Sequence, residues 1–179
     1  MANELLETGL AALAFARKAM LGMIDSVPED KLLHQPCPGA NHAMWTIGHL
    51  ACTDEHFMNK VFGRPFNKFE AWQDKFFMNS KPTENLADYP PITEVREALA
   101  NNREQLISCF KALDAAKLTS PLPEELSDFA PSHAALMSVI AWHEGMHAGQ
   151  LRVIRKSLSL APVFGPPYRP SPTRFARTG

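Results

Sequence analysis

Fifteen prolines divide this chain of 179 residues and decide where it can be helical. Proline lacks the backbone donor and its ring clashes with the preceding turn, so a helix cannot run through a proline cluster. The prolines fall between Pro28 and Pro38, between Pro65 and Pro91, between Pro121 and Pro131, and from Pro162 onward. The four long stretches between them carry apolar residues at intervals of three and four, the period of an amphipathic helix. In the first these are Leu5, Leu6, Leu10, Leu13, Met20, Leu21 and Ile24, with Asn3 able to cap the start and Pro28 limiting the end. Asn41 offers a cap for a second helix running to about Phe62. Thr93 can cap a third, with Val95, Leu99, Leu106, Phe110 and Leu113 as its stripe, and Ser132 a fourth that continues toward Pro162. Four long helices and no strand-like alternation predict an all-α fold, a four-helix bundle.

Residues 63–91 hold Phe66, Phe69, Trp72, Phe76 and Phe77 among their prolines. A connection of this length with so many aromatics is expected to pack, so it reads as a covered crossover with a short helix near Phe69 to Phe77. The organisation expected is one helical domain over residues 1–160 and an extended tail over 161–179, rich in proline and arginine.

Eighteen Lys and Arg against nineteen Asp and Glu give a net charge of -1, which supplies no field to recruit nucleic acid or an anionic membrane. A small-molecule partner is expected instead. Cys37, Cys52 and Cys109 are widely spaced and odd in number, which points to neither a disulfide framework nor a cysteine metal site and suits a reducing cytoplasm.

The fourth helical stretch contains His143, Glu144 and His147, spelling H-E-x-x-H. At roughly 100° per residue, with His143 at zero, His147 falls near 40°, Leu136 and Ile154 near 20°, Gln150 near -20° and Glu144 near 100°. Both histidines therefore lie within the apolar stripe that faces the core. Imidazoles there must be bonded or ligated, since an unsatisfied buried polar group costs about 1–3 kcal/mol.

A zinc-protease site requires a third ligand downstream, but residues 148–179 contain no His, Asp, Glu or Cys. The third ligand has to come from upstream. His49, among apolar neighbours on the second helix, is the best candidate, and the trio His49, His143, His147 leaves coordination positions open for chemistry. His42 and His56 share the face of His49 but stand about 10 Å away along the axis, too far to join the same ion. They, with His34 and His133, read as surface or capping residues. Glu144 is a candidate base, or else a partner for a basic residue at a helix interface. Gln150 is placed to bond a ligand histidine or a metal-bound water.

The run Trp45 to Leu50 in the form W-x-x-x-H-L, followed late in the chain by His143 to Gln150, resembles the DinB-like, damage-inducible superfamily of metalloenzymes. The resemblance implies up-down-down-up connectivity with the long crossover between the second and third helices. It also implies a divalent ion, nickel or zinc foremost, on His49, His143 and His147, and frequent homodimers. Relatives of this kind include transferases and isomerases that use low-molecular-weight thiols such as bacillithiol and mycothiol. Ala148 stands where many members carry arginine, which removes a charge that would steer an anionic substrate. The functional expectation is a metal-dependent, thiol-using transferase or a hydrolase acting on a small molecule. The alternative is a stress-related metal-binding or scaffold protein without turnover.

Overall fold

The computed structural model describes residues 2–163 and is helical, with no strand among them. Six α-helices follow in order: α1 (Ala2–Asp25), α2 (Ala43–Phe62), α3 (Phe69–Phe76), α4 (Ile92–Lys111), α5 (Ala115–Thr119) and α6 (His133–Ser157). The four long ones are those expected from apolar periodicity, and α3 is the short helix expected within the crossover. The tail expected over residues 161–179 lies outside the described residues from 164 on. No described helix is long and apolar enough to cross a membrane.

Helix ends show how local chemistry sets the boundaries. Ser132 caps α6 as expected, its hydroxyl accepting from the Ala135 amide at 3.2 Å. The cap of α2 is not Asn41 but His42, whose Nδ1 accepts from the Trp45 amide at 3.0 Å. With Nδ1 accepting, the ring proton sits on Nε2, which donates to the Thr83 carbonyl at 3.0 Å and so fastens the crossover to the start of α2. His42 is fully buried, as is His133, so neither is a surface residue. α4 begins without a side-chain cap, behind Pro91 rather than at Thr93. Asp114 starts α5, a helix the apolar pattern does not signal, by accepting from the Lys117 amide at 2.7 Å. Gly63 closes α2 at φ 66°, the left-handed conformation that glycine adopts without penalty.

Packing pairs α1 with α6 and α2 with α4. Along the first pair Gly9 lies under Met137, Arg17 meets Glu144 and Ser26 meets Arg155, so both numberings rise together. Along the second, Asn102 bonds the Ala51 carbonyl and Phe110 packs on Phe62. Two apolar clusters fill the interior. One, around Phe57, Leu106, Phe110, Leu136 and Met137, is the core at the end where α2 finishes and α6 begins. The other, around Ile47, Leu50, Trp72, Phe76, Leu99 and Leu151, is roofed by the crossover. Between α2 and α6, against this second cluster, stand the histidines.

Candidate metal centre

His49 comes from the middle of α2 and His143 and His147 from successive turns of α6. Their ring nitrogens converge: His143 Nε2 lies 3.2 Å from His49 Nε2 and 3.1 Å from His147 Nε2. One nitrogen from each of the three falls within 4.8 Å of the others, a spacing that could hold a metal ion. His49 and His147 are buried and His143 is half-buried.

The far side of two rings is fixed by acceptors. His49 Nδ1 donates to the Phe76 carbonyl at 2.8 Å, and His147 Nδ1 to Gln150 Oε1 at 2.9 Å. Each ring carries its proton on Nδ1 and turns an Nε2 lone pair toward His143. A single proton on His143 Nε2 can be donated to one of them only, so at least one inward Nε2 lone pair is left without a donor. A cation at the point of convergence resolves that arrangement, and neutral imidazole is the form that binds one. Burial and the neighbouring imidazoles favour neutrality: they push His49 down to about 3, and burial, with His147 next, pushes His143 down to about 4. His147 is also lowered by burial, against the opposing effect of its bond to Gln150.

Around the trio the walls are aromatic. Trp45 stacks on His49 with ring centres 4.5 Å apart and planes 10° from parallel, and its indole N–H is tied to Ser80 Oγ at 2.8 Å. Phe77 lies 6.3 Å from the His49 ring and 5.0 Å from that of half-buried His56. His56 is thus beside the site's wall and not among the converging nitrogens. Cys52, one turn beyond His49, is buried and its thiol is raised to about 12 by burial and by Glu55, which keeps it protonated.

Glu144 is fully buried and occupied elsewhere. Its Oε2 accepts from Arg103 Nη1 at 2.8 Å, and its Oε1 makes an ion pair with Arg17 Nε at 2.5 Å. Arg103 in turn donates through Nε and Nη2 to both oxygens of Asp54, at 2.9 and 2.8 Å. Burial raises the Glu144 carboxyl above its ordinary range, against the pull of Arg103 and Arg17. Of the two roles open to Glu144 in the sequence, partner of a basic residue at a helix interface is the one with contacts here.

Sequence reasoning brought together His49, His143, His147 and Gln150. It missed the Phe76 carbonyl, because a backbone acceptor leaves no side-chain signal. It also missed Arg17, Asp54 and Arg103. A signal for these existed: each is a charged residue set on an apolar stripe, Arg103 four after Leu99 and three before Leu106, Asp54 four after Leu50 and three before Phe57.

The sequence model of the DinB superfamily matches residues 12–151, which takes in the whole of α2 and α4, much of α1 and α6, and the three histidines. No curated protein matches the chain.

Proposed function

Because the chain belongs to the DinB superfamily, we propose that it is a divalent-metal enzyme acting on a small molecule, as a transferase that uses a low-molecular-weight thiol or as a hydrolase. The observation that carries this reading is the convergence of three Nε2 atoms, two of them held with their lone pairs inward by Phe76 and Gln150. Helix pairings that rise together, α1 with α6 and α2 with α4, support up-down-down-up bundle connectivity with the crossover of residues 63–91 joining the two halves.

His49, His143 and His147 would hold the ion, with nickel or zinc the foremost choices for imidazole donors. Three neutral ligands leave the ion's double charge undiminished, so when bound it supplies strong Lewis acidity and favours the ionised form of a thiol or water nucleophile. The protein's own part is to keep Nδ1 protonated on His49 and His147, to hold the His49 ring against Trp45, and to exclude water with Trp45 and Phe77. Trp45 and Phe77 bear no charge, which suits a neutral electrophile. Free Cys37, Cys52 and Cys109 support a cytoplasmic setting. Exposed apolar residues on the outer face of α1 and α6 support a homodimer.

A non-catalytic metal-binding role is the second reading, favoured by the engagement of Glu144 with two arginines, which leaves it unavailable as a base. Metal analysis of untagged protein after incubation with zinc or nickel tests the centre. The wild-type chain should retain about one ion and His143→Ala should lose it. Equal content in both would overturn the assignment. Turnover with a panel of thiols and electrophiles then separates the enzyme from the binding protein.

A further inference from the structure

The metal ligands come from two helices that are not each other's main packing partner. α2, with His49, packs on α4, and α6, with His143 and His147, packs on α1. Three nitrogens cannot meet at one point unless something sets the spacing across these pairs.

We propose that Arg103 of α4 is a positioning residue for the three-histidine centre, its guanidinium fixing the separation of the two ligand-bearing helices. The inference rests on the metal reading above. Asp54 stands five residues after His49 and Glu144 is adjacent to His143. Both carboxylates converge on one guanidinium: Arg103 grips Asp54 with two N–H groups at 2.9 and 2.8 Å and Glu144 with a third at 2.8 Å. Arg17 of α1 makes a second bridge between the same two acids, through Nη2 to Asp54 at 3.0 Å and Nε to Glu144. Each long helix thus contributes one charge to a ring of two cations and two anions that sums to zero.

Arg103, Asp54 and Glu144 are buried, at 5 %, 2 % and 0 % side-chain exposure, and Arg17 is half-buried at 11 %. A buried ionic ring is not needed to hold helices together, since apolar side chains of similar volume commonly do so as well or better. What a planar fork adds is direction. Its N–H groups diverge at fixed angles, so two carboxylates bonded to it have a defined separation, and the histidines beside them inherit it. Lysine carries the same charge without the fork.

The test uses cobalt(II) with the untagged full chain as wild type, as Arg103→Lys, and as the double variant Arg103→Met with Asp54→Leu. The double variant removes one cation and one anion and leaves Arg17 with Glu144, so it remains foldable if lysine proves too disruptive. Cobalt affinity is read by competition with a chromophoric chelator, ligand geometry by the visible cobalt absorption, and stability by thermal unfolding of the metal-free protein. Arg103→Lys should bind cobalt about 10- to 100-fold more weakly, the range seen when residues supporting metal ligands are lost, with a displaced absorption band. The double variant should show the same losses while melting close to wild type. A folded variant with wild-type affinity and spectrum would overturn the positioning role alone. No cobalt uptake by the wild-type chain would overturn the metal reading and this inference with it.

Discussion

Gly48 precedes the ligand His49 and lies against the ring of Phe76, where an added Cβ would overlap the ring carbons. Phe76 is also the residue whose carbonyl accepts from His49 Nδ1, so packing and ligand orientation meet at one contact. Gly48→Ala should therefore lower stability by about 1–3 kcal/mol, the cost of overpacking a filled core, and weaken metal binding together with it. Thermal unfolding and a metal titration check this pair of effects, and an alanine variant that matches wild type in both contradicts it. The histidines themselves set a pH dependence. In the unfolded chain they take up protons near 6.5, but in the metal-free fold His49 does so only at about 3 and His143 at about 4. Between those values the unfolded state holds more protons, so stability is present above pH 6.5 and is lost as pH falls toward 4. At pH 5 the loss should reach about 2 kcal/mol for each fully shifted histidine. Denaturant midpoints of the metal-free protein at pH 7 and pH 5 measure it, and His49→Gln should flatten the slope.

At the level of elements, the crossover owes its order to α2. α3 has eight residues, short of the roughly 12–15 at which even good helix formers become marginally stable alone. Its N-terminus is held by Glu55, buried on α2, whose Oε1 accepts from the amides of Asn67, Lys68 and Phe69, the last two at 2.9 and 3.1 Å. The carboxylate meets the positive end of the helix and satisfies donors that the helix cannot. Glu55→Ala should cost about 1–3 kcal/mol by leaving these amides unpaired. Hydrogen exchange should quicken across residues 66–77 while α6 keeps its protection, and unchanged exchange there would refute the latch. Such fastenings explain what the sequence could and could not reveal. The long helices were legible because periodicity and proline placement act within one segment, and the histidines because an i, i+4 pair on an apolar face has few other uses. Glu55, the Phe76 carbonyl and the His42 bond to Thr83 act between segments far apart in sequence, where no spacing rule reaches, and the His42 cap, though local, uses a residue type outside the usual capping set. The ring around Arg103 was half legible: a charge on each apolar stripe marks the members, but nothing in one stripe says which charge it meets in another.

Over the whole molecule, the outer face of α1 and α6 is more apolar than a free surface requires. Phe15 is 76 % exposed, Trp142 67 %, Val153 57 % and Met146 40 %. Phe15 and Trp142 stand at one height, each two residues before a member of the Arg17–Glu144 pair that joins the helices. Gly145 and Gly149 are exposed between them and Val153, with open space where a Cβ would be. Bulky side chains and an open helix surface thus alternate along one stripe, where Arg152 is the one charged position among the exposed residues from 138 to 153. A twofold axis near these glycines would lay Trp142 of each copy into the hollow of the other, as a self-complementary interface requires. Large aromatics bury roughly 150–250 Å² each, so the four residues account for about half of the roughly 800 Å² per partner of a standard interface, with the surrounding polar rim able to supply the rest. The expected outcome is a dimer of wild type in light scattering at micromolar concentration and a monomer for Trp142→Glu, because a carboxylate carried into the hollow would lose its water without gaining a partner. The histidines turn toward α2, about 100–140° around α6 from Trp142, so the monomer should bind zinc or nickel as tightly as the dimer. A wild-type chain that runs as a monomer, or a Trp142→Glu variant that remains dimeric, would remove this face from consideration as the contact between copies.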